Sequence, residues 1–183
     1  MQTPDMQPSI CLETFSESDF DRLIAWSPTA EFLLQWAGPL FTFPLDRGQL
    51  ENYLVATRQD PPTALAYRGV DMAARMVVGH VEIGNIDRRN SSARLSRVLV
   101  GPISLRGRGL GQQLVRAALG VAFDKLHLHR VDLSVFDFNQ AAIACYERVG
   151  FQREGVQREA ARHGDGYWNA CIMSILDHQW RSL

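Results

Sequence analysis

The run Tyr167-Trp-Asn-Ala-Cys-Ile-Met-Ser-Ile-Leu176 is apolar on both faces of an extended chain, a pattern that fits a strand covered above and below and not one with a wet face. It places Tyr167 to Leu176 inside a sheet and forces the rest of the chain to supply neighbours on both sides. Phe151 to Ala160 supplies one, joined to it through a turn at His163-Gly-Asp-Gly166. Thr63 to Arg68, Arg75 to Ile83 and Ala93 to Val100 read as three more strands. Turn signals at Gly69-Val-Asp71 and from Asp87 to Ser92 separate them, which predicts an antiparallel meander. Ser9 to Phe15 and Arg130 to Val135 complete the set.

Helical periodicity fills the intervals. Ser16 to Trp26 reads as a helix stopped by Pro28, Thr29 to Trp36 as a second closed by Gly38-Pro39, and a third runs from an Asp46 cap through Leu50, Tyr53 and Leu54. Gly109 to about Leu126 carries an apolar stripe of Leu110, Leu114, Ala117, Val121 and Leu126. Its interior Gly120 costs roughly 1 kcal/mol against alanine, so close packing on the sheet is the expected reason for it. Asn139 caps a last helix that ends at Gly150. The fold class is therefore α/β, an α+β-layered domain with a mixed, mainly antiparallel central sheet of about seven strands flanked by helices. A single domain over residues 8–183 and a flexible N-terminal tail over residues 1–7 are expected.

Charge and cysteine content narrow the function. With 19 basic and 20 acidic residues, the net charge of −1 argues against a nucleic-acid partner held by bulk phosphate attraction. No apolar run approaches the ~20 residues that cross a bilayer, so no membrane partner is expected. The three cysteines are widely spaced and odd in number, which fits reduced thiols in the cytoplasm. The histidines, His80, His127, His129, His163 and His178, have no metal-ligand spacing, and no metal is expected.

The chemistry concentrates in Arg106-Gly107-Arg108-Gly109-Leu110-Gly111, between a strand and a long helix. Three glycines let backbone N–H groups turn toward one point, and the helix that follows aims its positive end there. A diphosphate is the natural guest. A Walker loop needs Lys-Ser/Thr after its last glycine, and Gln112-Gln113 stands there instead. A Rossmann fingerprint needs a parallel βαβ unit, whereas these evenly spaced glycines follow an antiparallel meander.

The segment resembles the acyl-CoA pyrophosphate loop of the GNAT family of N-acetyltransferases, Arg/Gln-x-x-Gly-x-Gly/Ala at a helix start, through Arg106, Gly109 and Gly111. Val98-Leu-Val-Gly-Pro102 before it is similar to the family's fourth strand and its exit. Asn139 to Phe151, with Tyr146 seven residues after Asn139 and a closing Gly-Phe, is similar to the second family signature, about 30 residues downstream. The resemblance covers roughly Thr63 to Leu176 and suggests the branch of ribosomal-protein and small-amine acetyltransferases.

The resemblance implies an acetyl-CoA-dependent N-acetyltransferase that moves an acetyl group from the thioester to a primary amine by direct attack in a ternary complex. It implies that acetyl-CoA is held by Arg106, Gly107, Arg108, Gly109, Leu110 and Gly111, by Asn139, and by pantetheine pairing along Leu99 and Val100. Tyr146 is the expected acid, since a phenol with a pKa near 10 stays protonated at pH 7. Family members often carry the base as a glutamate on strand four or five; here strand four offers Arg94, Ser96 and Arg97, and strand five offers Ser134. Glu82 on strand three is the nearest acidic candidate by sequence, with an exposed strand glutamate as its plainer explanation. A water chain, Asp132, Asp137 and Asp165 are further options. The missing strand-four carboxylate leaves a non-catalytic acyl-CoA sensor or docking module as the alternative. The acceptor is a small-molecule amine or a protein N-terminal amine, selected by the aromatic stretch from Trp26 to Tyr53 and the turn at His163. Relatives are commonly dimers, so a homodimer is an expectation.

Overall fold

The computed structural model describes residues 10–183, so the tail expected over residues 1–7 and the start of the first strand at Ser9 lie outside the described residues. Seven strands form one sheet in the order β1-β2-β3-β4-β5-β7-β6. They are β1 (Ile10–Thr14), β2 (Leu65–Asp71), β3 (Met76–Asp87), β4 (Ser92–Val100), β5 (Arg130–Phe136), β6 (Gln152–His163) and β7 (Gly166–Leu176). The β4–β5 pair is parallel and every other pair is antiparallel. Strand β7 lies between β5 and β6, the interior place that its two apolar faces require.

Helices α1 (Phe20–Ala25), α2 (Ala30–Ala37) and α3 (Arg47–Leu54) link β1 to β2, α4 (Leu110–Gly120) follows β4, α5 (Gln140–Val149) follows β5, and α6 (Asp177–Trp180) follows β7. Asp46 caps α3 as expected, its Oδ1 accepting from the Gln49 amide at 2.8 Å, and Thr29 caps α2, its Oγ1 accepting from the Phe32 amide at 3.1 Å. The stretch expected as one helix to Leu126 widens after Gly120 into a π-turn, with the Leu126 amide bonding back to Val121 at 3.0 Å.

Two glycines act differently from their sequence reading. Gly69 lies within β2 and the β2–β3 turn comes later, where Asp71 Oδ1 accepts from the amides of Ala73 and Ala74. A Cβ on Gly69 would sit 2.7 Å from Leu114 Cδ1, so this glycine serves the docking of α4 on the sheet. Gly79 does the same, with Leu114 Cδ2 at 2.9 Å and the Leu99 carbonyl oxygen at 2.6 Å from a Cβ. Gly120 has no such role: a Cβ there would meet only the Asp124 carboxylate, at an ordinary 3.6 Å.

The alternation of strand side chains divides the apolar residues into two layers. Val81 and Ile83 of β3 pack with Leu114, Val115, Ala118 and Leu119 of α4 and Ile143 and Val149 of α5. On the other face Phe20, Leu23, Leu33, Leu50 and Leu54 from the first three helices cover Ala66 and Leu99. Polar side chains of β3 are buried with this second layer. His80 is 1% exposed, and its Nε2 lies 3.1 Å from the Tyr53 hydroxyl. Glu82, 5% exposed, accepts from Arg97 Nη1 at 2.6 Å, and the Arg97 guanidinium lies over the Tyr53 ring. The exposed strand glutamate offered as an explanation of Glu82 is therefore corrected: β3 has a strand on each side and a helical layer over this face.

Burial, reinforced by the nearby Arg97 charge, pushes the His80 pKa down to about 3. Between pH 6.5 and 3 the unfolded chain binds a proton that the folded chain refuses, so stability falls as pH is lowered through that window. The expected loss from pH 6.5 to 5 is about 2 kcal/mol, at about 1.4 kcal/mol per pH unit. The Arg130–Glu154 pair, which holds the Glu154 carboxyl at about 2 against an ordinary 4.5, loses its contribution only below about pH 4.5, outside the interval from pH 7 to 5. Urea unfolding of the wild type and His80→Gln at pH 7, 6 and 5 checks this: the wild type loses stability and the variant changes less, whereas equal slopes refute the assignment to His80.

Candidate active site

Strands β4 and β5 pair only through Ser92 with Arg130, Ala93 with Val131 and Arg94 with Asp132. Beyond that point β4 runs on to Val100 beside β3, and β5 runs on to Phe136 beside β7. A bulge in β4 accompanies the parting. His80 faces Leu99 and Glu82 faces Ser96, so Val81 stands opposite both Arg97 and Val98, and Arg97 adopts φ 52°.

The parted strands open into a cleft of about 880 Å³, near the upper end of the size range for small-molecule and cofactor sites. Its walls come from β4 between Arg94 and Val100, the glycine segment, Asn139 and Tyr146 of the β5–α5 region, Ser134 and Phe136 of β5, and Phe32 and Trp36 of α2.

At one end Gly107 and Gly109 adopt φ 77° and 81°, values that favour glycine, and no atom lies within 4 Å of where a Cβ would stand at either. The requirement at these positions is conformational. Gly111 differs: a Cβ there would meet Cys145 Sγ at 3.6 Å and Val100 Cγ2 at 3.9 Å, so alanine fits, as the Gly/Ala alternative of the motif allows. None of the amides from Gly107 to Gln112 donates to a backbone carbonyl among the described residues. With the positive end of α4 behind them, they offer free donors in a geometry that suits an anion. Of the glycine segment, Arg106, Gly107, Gly109 and Gly111 line the cleft, while Arg108 and Leu110 do not. Arg106 folds back, donating from Nε to the Val100 carbonyl at 2.9 Å and from Nη2 to that of Gly101 at 3.3 Å, with its guanidinium 5.2 Å from the Phe32 ring centre. It ties the glycine segment to the end of β4 and to α2.

Leu99 and Val100 border the cleft beside this end. Asn139 caps α5, its Oδ1 accepting from the Ala142 amide at 3.2 Å, and lines the cleft as well. Tyr146, two helical turns on, faces the same space with its ring edge-on to Phe151. Burial raises its pKa well above the ordinary phenol value, and its hydroxyl makes no hydrogen bond within the described residues. The phenol is thus protonated at neutral pH and uncommitted.

Glu82 does not border the cleft; Arg97, which it binds, does. Among the described residues four buried side-chain atoms lack a partner, and all belong to this contiguous group: Trp36 Nε1, His80 Nδ1, Glu82 Oε2 and Arg97 Nε. The sequence singles out His80 only among histidines without metal-ligand spacing, and Arg97 only as a residue standing where strand four lacks a carboxylate. The usable signal was the aromatic stretch from Trp26 to Phe43, whose members Phe32 and Trp36 reach the cleft. Of the other carboxylates considered, Asp132 is paired with Arg94 at 2.6 Å, Asp137 accepts from Asn169 at 3.1 Å, and Asp165 is exposed in the β6–β7 turn.

The sequence profile described as the Acetyltransferase (GNAT) family matches residues 16–151. The aminoglycoside N(6')-acetyltransferase type 1 of Klebsiella pneumoniae is 27% identical over 160 residues, covering 80% of this chain and 76% of that protein. The spermidine N(1)-acetyltransferase of Vibrio cholerae is 33% identical over 111 residues, 61% of this chain and 63% of that one. A crystal structure of spermidine N-acetyltransferase from Vibrio cholerae in complex with CoA and spermine superposes with a TM-score of 0.81 at 23% identity, covering 94% of this chain and 98% of that chain. The parted strands, the glycine turn at a helix start and the family match agree: this chain belongs to the GNAT family and is an acetyl-CoA-dependent N-acetyltransferase.

Proposed function

We propose that the amides from Gly107 to Gln112 bind the pyrophosphate of acetyl-CoA, including those of Arg108 and Leu110, whose side chains play no part. The single observation that carries this reading is the run of unpaired amides at the positive end of α4, open to the cleft. Leu99 and Val100 accompany the pantetheine arm; the Val100 carbonyl has a second lone pair beside the one taken by Arg106. Asn139 contributes from the α5 side. The bound thioester supplies an activated acetyl group, and the acceptor is a small amine, the substrate class named for the relatives.

Tyr146 gives its phenolic proton to the sulfur of CoA as the C–S bond breaks and the C–N bond forms. Its raised pKa suits a donor that is protonated before the step and recovers its proton afterwards. Glu82 takes the proton lost by the amine. Because it sits behind Arg97, the transfer runs through ordered water, for which the unpaired His80 Nδ1 and Glu82 Oε2 offer partners. The unpaired cysteines, Cys11, Cys145 and Cys171, suit a reducing cytoplasm.

Two substitutions separate binding from chemistry. Tyr146→Phe lowers kcat on the order of a hundredfold with acetyl-CoA affinity unchanged. Gly109→Ala forces a side chain into a left-handed backbone, at about 1–2 kcal/mol, and weakens acetyl-CoA binding roughly tenfold. Calorimetric titration with CoA and steady-state kinetics read both; an unchanged kcat in Tyr146→Phe removes that residue from the mechanism.

A further inference from the structure

Resting on the reading of this cleft as an N-acetyltransferase site, we infer that its acceptor is an amine bearing a carboxylate, an amino acid and not a polycation. The cleft wall contains Arg94, Arg97, Arg106 and Arg148 and, among the described residues, no aspartate or glutamate. Arg106 belongs to the glycine segment. Arg94 lies six residues before Val100 on β4, about 20 Å along an extended strand, far from the phosphate end. Arg94 and Arg97 therefore address the acceptor.

Each is fixed by one carboxylate outside the wall. Arg94 donates from Nε to Asp132 at 2.6 Å and Arg97 from Nη1 to Glu82 at 2.6 Å. A guanidinium has five N–H donors in a rigid fork, so most remain available on side chains already held in place. Among these the Nε–H of Arg97 is buried and unpaired, and the unpaired indole N–H of Trp36 adds one more donor that wants an oxygen. An unmet buried donor costs about 1–3 kcal/mol. A carboxylate meets these donors; a polyamine brings only further donors and two or more positive charges beside guanidinium groups. The aromatic rings of Phe32, Trp36 and Phe136 suit the apolar body of such a substrate.

Acetylation of matched pairs tests the inference: L-phenylalanine against 2-phenylethylamine, L-ornithine against putrescine, with spermidine alongside, followed by thiol release and by mass of the product. The carboxylate-bearing member of a pair is expected to show kcat/KM higher on the order of ten- to a hundredfold, with spermidine poorest. Arg94→Gln and Trp36→Phe are expected to narrow that ratio with the KM for acetyl-CoA unchanged. Equal or better transfer to the decarboxylated amines or spermidine overturns the carboxylate inference alone, as does a ratio untouched by both substitutions. Transfer to none of these amines while CoA still raises the melting temperature overturns the acceptor inference together with the proposed catalytic roles.

Discussion

A strand in the middle of a sheet ordinarily commits its backbone N–H and C=O groups to two neighbours, and β4 does so only as far as Arg94. Past that residue it keeps β3 and loses β5. Unpaired backbone groups in a protein interior are costly, so a parting of this kind persists where the surrounding structure enforces it. Here the bulge at Arg97 and Val98 bends β4, while β7 holds β5 along its full length from Arg130 to Phe136. The strands cannot close on each other without breaking one of these ladders. The cleft, the exposed edge of Leu99 and Val100, and the approach of α5 with Asn139 and Tyr146 all depend on that separation.

The same bend makes β4 serve two faces of the sheet. Leu95 packs in the α4 layer and Leu99 in the layer of the first three helices, although a regular strand would place residues four apart on one side. The residue that absorbs the change is Arg97, and its side chain meets Glu82 and Tyr53. The bulge that shapes the cleft thus also builds the buried polar group behind its wall. Arg106 supplies the other tie, joining the glycine segment to the carbonyls at the end of β4 and to Phe32.

Much of this was legible in the sequence where local chemistry decides the outcome. The caps at Asp46 and Asn139, the interior place of β7, and the glycine turn before α4 follow from backbone and periodicity rules. The features that escaped depend on tertiary contact. Gly69 resembles a turn residue, yet its missing side chain makes room for Leu114 forty-five positions away. Glu82 alternates like an exposed strand residue, and only the packing of α1, α2 and α3 on that face buries it. The bulge at Arg97 carries no glycine and no proline to announce it. The grouping of Trp36, Tyr53, His80, Glu82 and Arg97 joins four separate elements, which spacing along the chain cannot reveal.

The proposed seat of acetyl-CoA is the space between the parted strands together with the unpaired amides at the start of α4. Amide hydrogen exchange with and without CoA tests it most directly, because it reads the backbone groups themselves. Slowed exchange is expected from Gly107 to Gln112, with a smaller effect at Leu99 and Val100, and little change along β6. Unaltered exchange in the glycine segment at saturating CoA, or protection confined to another part of the surface, would contradict it.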